Sequence, residues 1–312
     1  MTEETPDVTY AMAASPSFSR DGICFAGRLS GLYRSDDGGN TWRSAYEAMK
    51  LDAPLATPAV VVSPAFESDG VVFAGVLGGV LRSSDGGETW MASTLPPPPP
   101  LVSALVISPA FAGDGLVLAA TAEAGVFRSA DRGGRWEGWN FGLLDLNVLS
   151  IAISPAFADD ETLFVGTESG IFRSTNGGRA WREVGFPAEW AKVLSLAISP
   201  AYSDDGIIFA GTESSGLFRS EDRGKTWGRL EHGIEDDAVN AILLSPKFPA
   251  ESAVLAGLST AMRLSRDGGQ SWSDWKPGFP GERRLVSLAA PSGLDDGAPL
   301  LVGLGQGGVK RI

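Results

Sequence analysis

The stretch SDDGGNTW, from Ser35 to Trp42, returns five times along the chain as SSDGGETW, SADRGGRW, STNGGRAW, SEDRGKTW and SRDGGQSW. The copies begin at Ser35, Ser83, Ser129, Ser174, Ser220 and Ser265, so 45 to 48 residues separate each from the next. A period of that size, held across most of a 312-residue chain, restricts the fold to architectures that set one small unit beside the next.

The fourth unit, VLSIAISPAFADDETLFVGTESGIFRSTNGGRAWREV, divides into four short apolar and β-branched runs: VLSIAIS, TLFVGT, GIFRS and AWREV. Turn chemistry separates them, namely Ser-Pro with Asp-Asp, Gly-Thr-Glu-Ser-Gly, and Asn-Gly-Gly. No helical periodicity competes. Four strands in a unit of this length predict an all-β chain, a β-propeller of four-stranded antiparallel blades. The first-strand signal followed by proline starts near Val8, Pro58, Val102, Val148, Val193, Val239 and Leu285, which gives seven blades rather than six. Their approximate bounds are 8–48, 58–95, 102–141, 148–186, 193–232, 239–278 and 285–312, within a single domain.

The seventh unit stops where its box would begin, with Arg311 aligned to Arg34 and Ile312 to Ser35. Too few residues precede Val8 to supply a full outer strand, so the last blade is expected to have three strands. Its open edge is then a place for association. On the first strands a small column (Ala11, Ala59, Ala104, Ser150, Ser195, Ala241, Ser287) runs beside a large one (Met12, Val60, Leu105, Ile151, Leu196, Ile242, Leu288). Alternation places the two on opposite faces, where large residues meet small ones across adjacent blades.

The box pattern Ser-x-Asp-x-Gly-x-Thr-Trp resembles the Asp-box, or BNR, repeat of sialidases, xyloglucanases, sortilin-like receptors and photosystem II assembly factors. The resemblance covers six of seven units. It implies the propeller fold, and because these families differ in activity it does not fix a function. The residues themselves predict a structural turn. Asp37 and Ser35 can accept backbone N–H groups, the glycines permit positive φ, and Trp42 can cover the turn. Asp85 with Trp90, Asp131 with Trp136, Asp222 with Trp227 and Asp267 with Trp272 repeat the roles; the fourth box has Asn176 with Trp181. An amide serves a turn but not a catalytic acid, and one or two carboxylates per box fall short of calcium's six to eight oxygens. An arginine column (Arg34, Arg82, Arg128, Arg173, Arg219, Arg311), broken by Leu264, and an acidic column (Asp21, Asp69, Asp114, Asp160, Asp205) predict inter-blade pairing.

Positions that differ between blades carry the functional information. With the box and Ser-Pro turns at the bottom, the top is built from loops between strands two and three and from blade-joining loops. Glu123, Glu168 and Glu213 lie in three of the former, and Arg28 in that of blade one. The joining loops contribute Asp145, Glu189, Glu235, Asp236 and Asp237, the cations Lys192, Arg283 and Arg284, and the aromatics Trp139, Phe141, Phe186, Trp190 and Phe279. Glu123, Trp139, Trp190, Arg283 and Arg284 are therefore candidate ligand-binding residues. Glu168, Glu213 and Arg28 are the candidate catalytic set if two carboxyls flank a glycosidic bond. The sialidase set has no counterpart: no arginine triad, no Phe/Tyr-Arg-Ile-Pro segment and no Tyr-Glu pair can be assigned.

Net charge is -13, which disfavours nucleic acid as partner. No apolar run reaches a membrane span, so no membrane insertion is expected. Cys24 is the only cysteine and His232 the only histidine, so neither a thiolate cluster nor a histidine metal triad can form, and no metal or cofactor is expected. The polar start MTEETPDVTY lacks a leader pattern, so a cytoplasmic location is the expectation. GLGQGG at Gly303–Gly308 precedes no helix, and the run Pro96–Pro100 reads as a stiff connector. Two functions follow: a non-catalytic binding or assembly module using the top face for a protein or carbohydrate partner, or a carbohydrate-active hydrolase or lyase at the central mouth.

Overall fold

The computed structural model describes residues 6–188, 191–231, 233–234, 237–277, 279 and 283–312. The chain forms seven antiparallel sheets in sequence order, six of four strands and a last one of three. Blade four shows the plan, with strands Val148–Ile153, Leu163–Thr167, Ile171–Ser174 and Arg182–Glu183. The second strand is buried along its whole length in this blade, and so are Val72–Val76, Ile208–Thr212 and Val254–Leu258. That is why these runs are continuously apolar instead of alternating. Fourth strands are short and exposed, as at Arg43–Ser44 and Glu137–Gly138.

One element departs from the all-strand expectation. In blades one to five a single helical turn follows Ser-Pro: Phe18–Asp21, Phe66–Asp69, Phe111–Asp114, Phe157–Asp160 and Tyr202–Asp205. Four residues cannot show a helical period, so sequence pattern does not register them. The acidic column closes this turn. Ser15 Oγ donates to Asp21 Oδ2 at 2.6 Å, and the Ile23 N–H donates to Asp21 Oδ1 at 2.9 Å. The same pair forms at Ser63–Asp69, Ser108–Asp114, Ser154–Asp160 and Ser199–Asp205. Expected as inter-blade partners of the arginines, these acids instead act within their own blade.

The box is the turn that its residues predict. Asp37 Oδ1 accepts the N–H groups of Asn40 and Thr41, Oδ2 accepts the Thr41 hydroxyl, and the Gly39 N–H donates to Ser35 Oγ. Asn176 keeps the acceptor role toward Ser174 Oγ and the Ala180 N–H. A backbone bond from Gly38 N–H to Gly22 O puts the box and the Ser-Pro turn on one face of the ring.

Blades join through that face. A Cβ on Gly87 would lie 2.8 Å from the Phe25 ring of the preceding blade, and one on Gly224 would lie 2.4 Å from Phe164. Only glycine lets the aromatic ring of one blade press on the box of the next. The arginine column reinforces the seam through backbone oxygen. Arg34, Arg82 and Arg219 donate through Nη1 to Gly86 O, Arg132 O and Gly268 O of the following blade, at 2.6, 3.0 and 3.0 Å. The break at Leu264 now has a reason. Blade seven has no box to receive an arginine, and Leu264 is buried in the apolar seam between blades six and seven.

Near the axis, Ser150 Oγ and Ser195 Oγ donate to Val193 O and Val239 O of the next blade, and Ser287 Oγ donates to Thr9 O. The last bond closes the ring, aided by Thr9 Oγ1 to Gly308 O and an Asp7–Gly307 bridge. The last blade ends on the strand Val309–Arg311, whose Lys310 and Arg311 are exposed. Closure is therefore by packing of first strands, and among the described residues no outer strand from the other end of the chain joins the last blade.

Two predictions follow from these seams. The Thr41 hydroxyl, the Thr41 N–H and the Ser35 hydroxyl lower Asp37 to about 2. For Asp85, burial acts upward, but the donors Thr89, Ser83 and Glu88 outweigh it, again to about 2. Asp222 and Asp267 are lowered alike by Thr226 and Ser271. Folded values below the unfolded value mean that this stabilisation is full above pH ~4 and is lost as pH falls toward ~2. Urea midpoints should drop across that window, and the drop should be shallower in an Asp85→Asn, Asp267→Asn double variant; an unchanged slope would count against the box carboxylates. Gly211→Ala, whose Cβ would lie 2.4 Å from Ser195 Oγ and 2.6 Å from Val239, should cost about 1–3 kcal/mol in denaturant unfolding.

Candidate functional site

Each rim loop is tied to the blade-joining segment beside it. The Glu123 N–H donates to Asn147 Oδ1, Gly125 N–H to Leu146 O, and Glu213 N–H to Lys192 O. Asp145 holds two segments together, accepting Asn147 N–H on Oδ1 and Ser169 N–H on Oδ2, at 3.0 and 2.9 Å. Burial pushes the Asp145 carboxyl up, but donors from Asn147, Ser169 and Thr167 prevail and hold it below its usual range.

Glu168 and Glu213, equivalent residues of adjacent blades, are brought together, but with a cation between them. Lys192 Nζ lies 3.6 Å from Glu168 Oε1 and 3.8 Å from Glu213 Oε2. All three side chains are about half exposed, at 41% for the lysine and 46% and 53% for the acids. Beside this triad a groove of about 900 Å³ runs over the top of blade four. Leu144, Leu146, Phe172 and Phe186 give it apolar walls, and Asp145, Glu168, Glu183 and Lys192 line its polar part. Leu144 is 80% exposed and Leu146 38% exposed, next to a buried Leu143. Phe141, in the same joining segment, is 80% exposed.

The other candidates are dispersed. Arg28 stays within blade one: its guanidinium stacks 4.3 Å from the Tyr33 ring and reaches Asp7 at 3.8 Å. Burial lowers its pKa, with Asp7 acting in opposition. It takes no part in the Glu168–Lys192–Glu213 group. Trp139 is not part of the rim groove. It packs over the box turn of blade four, 3.6 Å from where a Gly178 Cβ would be, with Arg128 stacked at 4.3 Å and Arg179 at 5.8 Å. Its carbonyl accepts the Trp181 indole N–H at 2.8 Å. The reason lies in Leu118, which fills the second-strand position held by Phe25, Phe73 and Phe164 in other blades. A shorter side chain leaves room over Gly178, and Trp139 fills it. Phe186 seals a joint as well as lining the groove, with ring centroids 4.7 Å from Phe218 and 5.6 Å from Trp227. Phe279 carries Lys310 at 5.5 Å.

Arg283 and Arg284 are exposed in the segment entering blade seven, where their carbonyls accept the Gly305 N–H. Trp190, Glu189, His232, Glu235 and Asp236 lie outside the described residues. The proline run is anchored: Gly78 N–H donates to Pro100 O and Leu95 N–H to Gly78 O, which folds the run over the rim loop of blade two. Among the described residues no group of three acidic, histidine or cysteine side chains is placed to hold a metal, and no helix is long and apolar enough to cross a membrane. Cys24 is buried, and burial pushes its thiol up to about 12.

The sequence missed the groove itself. Its walls come from Leu144 and Leu146, which point outward from a joining segment with no repeat counterpart. The available signal was LLDL, an apolar cluster in a segment where no strand is expected.

The geometry defines the class: this is a seven-bladed β-propeller whose first six blades each carry the repeated box turn. The BNR-Asp box repeat family model matches residues 217–230, within blade five. A search of curated proteins matches none. Among solved structures, the chain is similar to an extracellular domain from B. thetaiotaomicron (13% identity, TM-score 0.73, covering 99% of this chain and 38% of that one). It is similar to the GH74 xyloglucanase from Xanthomonas campestris (16%, 0.75, covering 98% and 52%). It is also similar to YCF48 bound to D1 peptide (15%, 0.71, covering 99% and 94%). These likenesses establish the fold alone. The chain spans about half or less of the first two structures and nearly all of the third.

The rim and Trp139 should separate cleanly in stability measurements. Trp139→Ala is expected to cost about 2–3 kcal/mol, because it empties the space above Gly178. Glu168→Gln should stay within about 0.5 kcal/mol of the parent, as exposed ion pairs contribute little. Equal losses in the two variants would contradict this division.

Proposed function

We propose that this propeller is a non-catalytic binding module, and that the rim groove over blade four takes an extended segment of a protein partner. The observation that carries the reading is Lys192, set between Glu168 and Glu213 beside a groove walled by exposed leucines. A glycosidase needs its two carboxyls to face the scissile bond across sugar or water. Here a lysine ammonium occupies the space between the pair, and Arg28 is committed to blade one. Exposed Leu144 and Leu146 supply apolar contact, and the mixed charges beside them supply orientation. The occupant that fits is a segment with apolar side chains flanked by both signs of charge. One solved structure of similar fold and nearly the same span carries a peptide, which supports the same reading.

The test is capture from the source organism's lysate with chemical cross-linking and peptide mapping. Cross-links should fall on the blade-four rim, and Leu144→Asp with Lys192→Glu should lower recovery by at least about tenfold with little change in Tm. Cross-links confined to the Val309–Arg311 edge or to the proline run would move the site. Release of sugar from xyloglucan by the purified protein, lost in Glu168→Gln, would replace this reading with the carbohydrate-active one.

A further inference from the structure

The arginine of the third strand has a fixed task in blades one, two and five, where it donates to the carbonyl of the fourth box residue in the next blade. Arg173 of blade four does not have that task. The carbonyl it would reach, Arg223 O, faces the Tyr202 hydroxyl at 3.5 Å. Tyr202 is the one tyrosine in a column that elsewhere reads Phe18, Phe66, Phe111, Phe157 and Phe248. Among the described residues the Arg173 side chain has no hydrogen-bond or ion-pair partner. It keeps a ring contact at 5.7 Å from Phe164, and its Nε is buried without an acceptor, as are those of Arg28, Arg128 and Arg219.

Arg173 lines an opening of about 540 Å³ on the box face, together with Arg182, Lys225, Thr175, Asn176 and Glu183. Three cations thus meet one carboxylate, in a chain of net charge -13. Box four is also the one whose acidic position is an amide. Asn176 Oδ1 is used by Ser174 and Ala180, which leaves its amide nitrogen as a donor. In boxes one, two, five and six the second carboxylate oxygen stands there, and it is filled by the hydroxyl of Thr41, Thr89, Thr226 or Ser271. Ala180 offers no hydroxyl. Two departures from the repeat, Asn176 and Ala180, line this opening and free a donor there, and a third, Tyr202, faces the carbonyl that Arg173 would otherwise reach.

The geometry points to an oxyanion site: a phosphate-type group, free or as the phosphoryl end of a small molecule, held by Arg173, Arg182 and Lys225 with Asn176 Nδ2 and Thr175 Oγ1 as neutral donors. A planar guanidinium fork matches two oxygens of such a group through its terminal nitrogens. The site lies at the box end of blade four, and Glu183 lines both it and the rim groove.

Calorimetric titration of the intact protein at low salt, with inorganic phosphate and separately with O-phosphoserine, tests this. One saturable site is expected. It should weaken at least about tenfold in Arg173→Gln and in Asn176→Asp, since a carboxylate a few ångströms away opposes the anion. Asn176→Asp restores the residue that the other five boxes carry, so its Tm should not fall, and loss of binding cannot then be ascribed to unfolding. Lys50→Gln, exposed after the outer strand of blade one, should leave binding unchanged. Saturation by inorganic phosphate supports a free oxyanion as ligand, and saturation by O-phosphoserine alone supports a phosphoryl group on a larger molecule. No saturable heat with either probe up to about 50 mM, or heat unchanged in both pocket variants, overturns the assignment.

Discussion

Everything in this ring depends on one contact, a bulky second-strand side chain of one blade pressed onto a glycine in the box turn of the next. Phe25 on Gly87, Phe73 on Gly133 and Phe164 on Gly224 repeat it, and Leu301 on Gly39 carries it across the closing seam. The contact explains the parts around it. The box carboxylate is there to hold a tight turn whose glycines have positive φ. The box tryptophan covers the same turn and ties back to the preceding blade, as Trp90 does to Ala45 O and Trp136 to Ser93 Oγ. The arginine adds a hydrogen bond to a carbonyl of that turn, with Glu88 as a further partner of Arg34, so at Arg82 and Arg219 it makes no demand on the side chain it meets.

That last point separates the two faces of the molecule. On the box face, partners are mostly backbone atoms, and substitutions that keep the turn are tolerated. Asn176 and the arginines at 132 and 223, which replace a box glycine at positive φ, show the latitude. On the rim, each loop is fastened by a different device: Asn147 under Glu123, Asp145 under Ser169, Asp7 under Ser30. Repetition there is lost, and blade four carries a groove with leucine walls.

The fold was legible because its determinants are local. A box spans eight residues and a Ser-Pro turn six or seven, so both survive as strings, and counting first strands gave the seventh blade that has no box. The partners of the repeated charges were less legible. Arg34 and Gly86 are 52 residues apart, and a carbonyl has no sequence signature, so a column of arginines beside a column of aspartates read as ion pairs. At the site, Glu168 and Glu213 were correctly placed on adjacent rims, but the lysine that stands between them comes from a joining segment outside the repeat. Trp139 was assigned to the rim because an aromatic in a joining segment looks available. Its location depends on Leu118, 21 residues earlier, being too short to cover a glycine 60 residues later.

The seam is also polar in the sense of an arrow. Blades one, two, four, five and seven give a bulky second-strand side chain, and blades one, two and five also give an arginine, to the box of the next blade, so donor and receiver surfaces differ. In the language of assemblies this is a heterologous, head-to-tail interface closed into a circle within one chain. Blade seven gives without receiving, and its neighbour has exchanged arginine for Leu264 to suit. The asymmetry fixes the direction in which errors travel. Damage to a box exposes the giving face of the blade before it, a surface of aromatic rings and arginines already shaped to fit any other box of the same kind, including one on a second molecule. A ring that opens at a seam therefore has a ready route to linear polymers, and the intact circle is what keeps that surface occupied.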